Sequence, residues 1–341
     1  MVYHNKKLEN LIFYWLLISS VLIFIMIIVG GLTRLTDSGL SITEWELFKG
    51  IIPPMNMREW ELYFELYKEI PQYKIMNSSM TIDQFKIIFY WEYGHRILGR
   101  LIGLIFLLPL LYFQFIKKIQ FKKLLPFYII LSLIILQGAI GWYMVKSGLV
   151  NDVTVSHYRL SIHLCLAVII LSLIFWQILN LRNKTVKSFL EFKKETFPFF
   201  ILIILIYLQI IFGAFVSGLD AGRIYQTWPM MGETYLPNDI KINNFYDFLD
   251  FDNHSLVQFY HRNTAYVISI YILFLSYLIF KNKKIYLYAP TIFLNFILFV
   301  QITLGILTLI TNLHISLAST HQITSVILAL SSIKLYYSMI K

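Results

Sequence analysis

"VGGLTRLTDSGLSITEW", residues 29–45, aligns without gaps on "FGAFVSGLDAGRIYQTW", residues 212–228. Gly30, Asp37, Gly39 and Trp45 then fall on Gly213, Asp220, Gly222 and Trp228. Three shorter matches follow in the same order: "EYGHR" (92–96) on "QFYHR" (258–262), "QGAIG" (137–141) on "QITLG" (301–305), and "SIHL" (161–164) on "STHQ" (319–322). The displacement falls from 183 to 158 residues along the series, as loops of unequal length require. Each match alone is weak, but four in register are the mark of an internal duplication. The chain therefore reads as two homologous halves, 1–185 and 186–341, joined by a basic loop.

The solvent for these halves follows from composition. Of 341 residues, 58% are apolar and 14% charged, against about a quarter charged in a typical soluble domain. Apolar segments recur at roughly 11–31, 86–116, 124–146, 158–180, 197–217, 256–280, 286–311 and 316–337. Each is long enough to cross a hydrocarbon core of about 30 Å as a helix. No alternating ten-residue segments of the transmembrane β-barrel kind are present. The fold class expected is an all-α polytopic membrane protein of eight transmembrane helices, arranged as two pseudo-symmetric four-helix bundles. An even number of spans per half gives both halves the same orientation, as in parallel repeats.

The net charge of +10 orients the chain rather than binding nucleic acid. Lys6 and Lys7, then Lys117, Lys118, Lys122 and Lys123, then Arg182, Lys184, Lys187, Lys193 and Lys194, then Lys281, Lys283 and Lys284 occupy alternate loops. Positive residues stay on the cytoplasmic side, so both termini are expected there, and 32–85, 147–157, 218–255 and 311–315 outside. The first span exceeds a signal-peptide core in length and is expected to stay attached. A single cysteine, Cys165, excludes an internal disulfide and a cysteine metal cluster, and reads as a packing residue.

Eight histidines are present: His4, His95, His157, His163, His254, His261, His314 and His321. The repeat selects two pairs, His95 with His163 and His261 with His321. Each pair comes from the second and fourth helices of its half, at similar depth near the outer end. A haem fits between bundle helices with imidazoles on opposite faces, and intramembrane ionisable groups are functional candidates. A non-haem metal site takes three or four converging ligands at short spacing, which this pattern lacks. His157 and His314 read as rim residues, and His4 and His254 as tail and loop.

The halves differ at one telling position. Three residues before the histidine stands Glu92 in the first half and Gln258 in the second. That is nearly one helical turn, so the side chain shares the histidine's face. A carboxyl exchanges protons and an amide does not, so one site is expected to do proton-coupled work while the other holds a redox cofactor. The competing reading is that Glu92 bonds Arg96 or Arg100. Gln137, Gln209 and Gln301 each precede a glycine by four positions, which reads as interhelical hydrogen bonding with close packing. Asp37 and Asp220 read as turn formers, and Trp45, Trp91, Trp142 and Trp228 as interfacial aromatics.

"GGLTRLTDSGLSITEW" with "GIIPP" (50–54), then "WEYGHRILGR" (91–100), "SHYRLSIHL", "TWPMMGETYLP" (227–237), "FYHR" and "STHQ" together resemble haem A synthase, over essentially the whole chain. The long first outer loop without paired cysteines is similar to the mitochondrial and alphaproteobacterial branch. The resemblance implies oxidation of the C8 methyl of haem O to a formyl group, giving haem A for cytochrome c oxidase. It implies His261 and His321 as axial ligands of a resident haem b, His95 and His163 as the residues flanking haem O, and Glu92 as the catalytic carboxylate. Successive hydroxylations to a geminal diol that loses water would yield the aldehyde. Implied partners are a haem O synthase (the farnesyltransferase that supplies haem O) and an electron acceptor the sequence does not identify, in the cell inner membrane. A homo-oligomer is compatible with the sequence. Arg96 and Arg262 are candidates for the haem propionates, since arginine suits carboxylates; snorkelling or bonding to loop backbone are the alternatives. The rival function is a dihaem membrane cytochrome b that passes electrons from quinol and does no chemistry on its haem. A transporter fits less well, because its polar groups would lie near the bilayer midplane.

Overall fold

The computed structural model of the chain describes residues 6–45, 49–150, 152–191, 193–241 and 244–340. Among them no strand forms, and eight helices exceed twenty residues: α1 (Lys6–Leu35), α4 (Ile82–Leu111), α5 (Phe121–Gly148), α6 (His157–Arg182), α7 (Phe197–Gly218), α8 (His254–Lys281), α9 (Tyr288–Ile310) and α10 (Ile315–Met339). Two shorter helices, α2 (Met57–Lys68) and α3 (Pro71–Met76), lie between α1 and α4. Seven of the long helices, all but α10, are long and apolar enough to cross a membrane. The chain is a multi-pass helical membrane protein. It clusters into two compact units, residues 6–174 and 175–341, with the division inside α6.

In the unit of residues 6–174, Trp15 of α1 ties three helices together. Its Nε1 donates to the Ile105 carbonyl at 3.0 Å, and its ring lies 4.8, 5.4 and 5.3 Å from those of Phe106, Phe113 and Phe127. Pro109 interrupts the hydrogen-bond ladder of α4, which ends in a wider π turn at Tyr112–Ile116. In the unit of residues 175–341, Trp176 takes the corresponding part. It packs against Phe189 and Tyr337 at 5.0 and 4.9 Å and donates to the Lys187 carbonyl at 3.0 Å. Lys187 in turn donates to the Tyr337 carbonyl at 3.2 Å and to the Ile340 carbonyl, satisfying the end of α10.

The first outer segment is more structured than the loop expected over 32–85. Trp60, Tyr63, Phe64 and Tyr67 recur at helical spacing between charged residues, so α2 is amphipathic and must bury one face. Asn56 caps it by accepting from the Glu59 amide at 3.0 Å, and Pro71 opens α3. The buried face meets the first turns of α4. Trp60, Phe64 and Tyr67 pack with Phe85 and Phe89, and Leu40 and Ile42 complete the cluster. Burial pushes the Tyr67 hydroxyl up to about 12, so it stays a donor to Gln72 Oε1 at 2.9 Å. Gln72 passes the constraint on by donating to the Asp37 carbonyl at 3.2 Å. Asp37 and Asp220 both adopt left-handed backbone, with φ of 50° and 52°, a conformation aspartate tolerates in turns.

Phe85 is fully buried and touches Trp60, Phe64, Tyr67 and Phe89. Phe85→Ala should loosen this cap by about 3–5 kcal/mol. Limited proteolysis will read it as faster cleavage within 55–80, with the helical circular dichroism of the spans unchanged.

Candidate functional site

Among the described residues, four of the histidines on long helices each meet a glycine on a neighbouring helix. In the unit of residues 6–174, a Cβ placed on Gly30 of α1 would lie 3.0 Å from His95 Cε1, and one on Gly141 of α5 2.9 Å from His163 Cε1. In the unit of residues 175–341, a Cβ on Gly213 of α7 would lie 3.1 Å from His261 Cε1, and one on Gly305 of α9 2.9 Å from His321 Cε1. The missing methyl group lets the Cε1 edge of each imidazole approach the partner helix closely. This fixes the ring without a bulky neighbour.

Glutamines one turn before three of these glycines complete the contact. Gln137 Nε2 donates to the His163 carbonyl at 3.0 Å. Gln209 Nε2 donates to the His261 carbonyl at 2.9 Å and lies 3.1 Å from its Nδ1. His321 Nδ1 lies 3.2 Å from the Gln301 carbonyl, and the Gln301 amide oxygen accepts from Thr324 Oγ1. The expected interhelical hydrogen bonds are therefore made, and their targets are the histidines. At the fourth position, Met26 stands in place of glutamine, and its methyl packs 3.2 Å from the Cβ position of Gly99.

His261 and His321 face one another, with ring centroids 6.4 Å apart and planes at 81°. Two imidazoles bound to one metal through bonds of about 2.0 Å have centroids roughly 6 Å apart, so this pair fits the two axial positions of a haem iron. A His321 Nδ1–H donated to the Gln301 carbonyl is the arrangement common around histidines that ligate through Nε2, and here the Gln301 side-chain Nε2 lies 3.4 Å from that atom. In the other unit, His95 and His163 lie on α4 and α6. Their Nδ1 atoms are buried without a hydrogen-bond partner among the described residues. No group of three His, Cys, Asp or Glu side chains suited to a bare metal ion occurs among the described residues.

Glu92 is buried, one turn before His95, and all its acceptor capacity is used. Ser41 Oγ and the Ile42 amide donate to Oε2 at 2.7 and 2.9 Å. Arg96 donates to Oε1 through Nη2 at 2.6 Å and Nε at 3.1 Å. The reading in which Glu92 bonds Arg96 thus describes its contact, and Arg100 instead donates to the Arg96 carbonyl at 3.0 Å. Gln258, its counterpart in the alignment, donates to the Tyr225 carbonyl at 3.0 Å.

The arginines after the first histidine of each pair grip loop backbone. Arg96 reaches the Ile42 carbonyl at 2.9 Å and the Glu44 carbonyl at 3.3 Å. Arg262 reaches the Tyr225 carbonyl at 2.8 Å and the Thr227 and Met230 carbonyls at 2.8 and 3.2 Å. Both arginines therefore bond loop backbone, and Arg96 bonds Glu92 as well. His157 is buried beside Tyr158, with ring centroids 4.0 Å apart. His314 lies 2.7 Å from Ser316 Oγ at the start of α10, and His254 opens α8. His4 lies outside the described residues. Cys165 is a free thiol, half-buried on α6. The glycine contacts and the Ser41 hydroxyl went unread in the sequence, although the glycines and glutamines recur at the duplicated positions.

Residues 13–333 match the family model described as cytochrome oxidase assembly protein, COX15-CtaA. The "Heme A synthase" of Pelagibacter ubique is 50% identical over 322 residues, covering 93% of each chain. That of Rickettsia felis is 42% identical over 98% of this chain and 99% of its own, and that of Rickettsia bellii 43% over 96% and 97%. The chain belongs to the COX15-CtaA family of cytochrome oxidase assembly proteins.

Proposed function

We propose that the chain is a haem A synthase of the inner membrane, oxidising a methyl group of haem O to the formyl group of haem A. Its near full-length relatives carry that name. The observation that carries the division of labour is the asymmetry between two similar histidine pairs, one with Glu92 beside it and one with Gln258. His95 and His163 hold the substrate haem O in the half with the acid. His261 and His321 hold a resident haem b, which supplies a one-electron redox couple when bound. Glu92 accepts protons lost from the methyl carbon, and Ser41, Ile42 and Arg96 keep its carboxylate aimed. Arg96 and Arg262 position the outer loops over the two sites. The electrons pass to an acceptor, and a haem O synthase delivers the substrate.

The two halves, 1–185 and 186–341, are products of duplication and form two pseudo-symmetric four-helix bundles. Recurrence of the contact set supports this: glycine against histidine, and arginine to the carbonyls of 42 and 44 in one half and 225 and 227 in the other. We assign α10 as the eighth span. It falls short in hydropathy because its polar residues face protein or bond their own helix. Ser331 and Ser332 are buried, and the hydroxyls of Thr324, Ser331 and Ser338 donate to carbonyls four residues earlier. Backbone-bonded hydroxyls are tolerated in lipid.

Gly305→Ala should displace the His321 ring and lower the haem content of purified protein at least severalfold, measured as the pyridine haemochrome. Gly103→Ala, with open space around it, should leave haem content unchanged. Glu92→Gln should retain haem and cut haem A output about 100-fold or more, measured in cells that make haem O. Unchanged output would reject the assigned role. Pigment of b type alone, extracted from cells supplied with haem O, would favour the dihaem electron carrier.

A further inference from the structure

The four donors to Glu92 are not equivalent. Three are N–H groups, from the Ile42 amide and the Arg96 guanidinium. An N–H donor has no lone pair to offer, so it cannot accept the proton a newly formed carboxylic acid must donate. The fourth is the Ser41 hydroxyl, 2.7 Å from Oε2 and fully buried. A hydroxyl both donates and accepts, and its hydrogen rotates. A second acceptor, the Ile88 carbonyl, lies 3.3 Å from the same Oγ. Rotation toward Ile88 frees a lone pair of Ser41 to receive a proton held on Glu92 Oε2.

The alignment of the halves isolates the same pair. Residue 41 falls on Ile224 and Glu92 falls on Gln258, so hydroxyl and carboxyl are absent together from the second half. The remaining contacts persist: Arg262 still grips the Tyr225 carbonyl, as Arg96 grips that of Ile42. The hydroxyl is thus not needed to hold the loop.

We infer that Ser41 is a positioning residue for Glu92, whose hydroxyl donates to the carboxylate in the resting state and swings to the Ile88 carbonyl when Oε2 takes a proton. One proton moves to Glu92, the Ser41 O–H bond stays intact, and the two residues exchange donor and acceptor roles. The aromatic cap contributes to this pair, because Ile42 belongs to the cluster built on Trp60 and Phe85. The inference rests on the reading of Glu92 as the proton acceptor.

The test uses full-length protein with Ser41→Ala, Ser41→Thr and Glu92→Gln. The carboxylate stretch of Glu92 is identified in infrared spectra by its disappearance in Glu92→Gln. Ser41→Ala should shift that band and lower the rate of haem A formation about tenfold to 100-fold, the range for losing a hydrogen bond to a charged group. Haem content should stay at the parent level. Ser41→Thr, which keeps the hydroxyl, should restore both band and rate. An unmoved band with parental turnover in Ser41→Ala overturns the inference, as does equal loss of haem from the Ala and Thr variants, which would mark a packing role. If Glu92→Gln keeps full turnover, the role of Glu92 fails, while the band shift still reports whether Ser41 holds it.

Discussion

A hydrocarbon solvent offers polar groups no partner, so each ionisable side chain between these helices must find one within the protein. The Arg96–Glu92 pair meets that demand in the smallest number of atoms. At 2.6 Å, with both carboxylate oxygens filled from four donors, neither charge is left uncompensated. Breaking such a pair from one side strands the other charge, at a cost well above the value of the pair itself. The outer loop, its aromatic cap and the start of α4 are therefore mutually dependent. Ser41 and Ile42 supply two of the donors, and the cap holds the segment that carries them.

The same demand explains what was legible in sequence. Spans showed because lipid-facing residues must be apolar along nearly their whole length. The four histidines showed because imidazoles are costly in that setting and recur at duplicated positions. The cap did not show: an amphipathic helix of twelve residues inside a long polar segment gives a weaker pattern, and its partner face on α4 is distant in sequence. Which loop groups Arg96 and Arg262 would take was hidden for a different reason. They are backbone carbonyls, which every residue possesses, so side-chain identity carries no trace of them. α10 shows the converse limit, since burial against neighbouring helices removes the pressure for an apolar surface that a hydropathy window measures.

Close approach at glycine carries a second constraint. An imidazole whose Cε1 edge lies against a bare helix backbone is held at a set distance from that helix. Larger residues at 30, 141, 213 or 305 would occupy the space the ring now fills. The glutamine one turn earlier then fixes the histidine's backbone or ring. Glycine and glutamine thus form one device, with the first setting distance and the second orientation. Met26 is the exception, so the His95 contact lacks the glutamine. His95 belongs to the pair assigned to substrate, and substrate must enter and leave, whereas a resident cofactor need not.

That difference bears on how two similar halves come to differ in chemistry. Two equivalent haem sites would carry electrons and do nothing to either macrocycle. Glu92 stands where the other half has an amide, and an acid in lipid is tolerated only with compensating donors. Arg96 and the Ile42 amide supply three of them. They stabilise the ionised form alone. A group that can switch from donor to acceptor has to be added for the carboxylate to cycle, and a buried serine on the adjoining loop is the smallest side chain that does so. The acid and the hydroxyl therefore stand together in one half and are both absent at the aligned positions of the other, with the remainder of the outer segment keeping them in register.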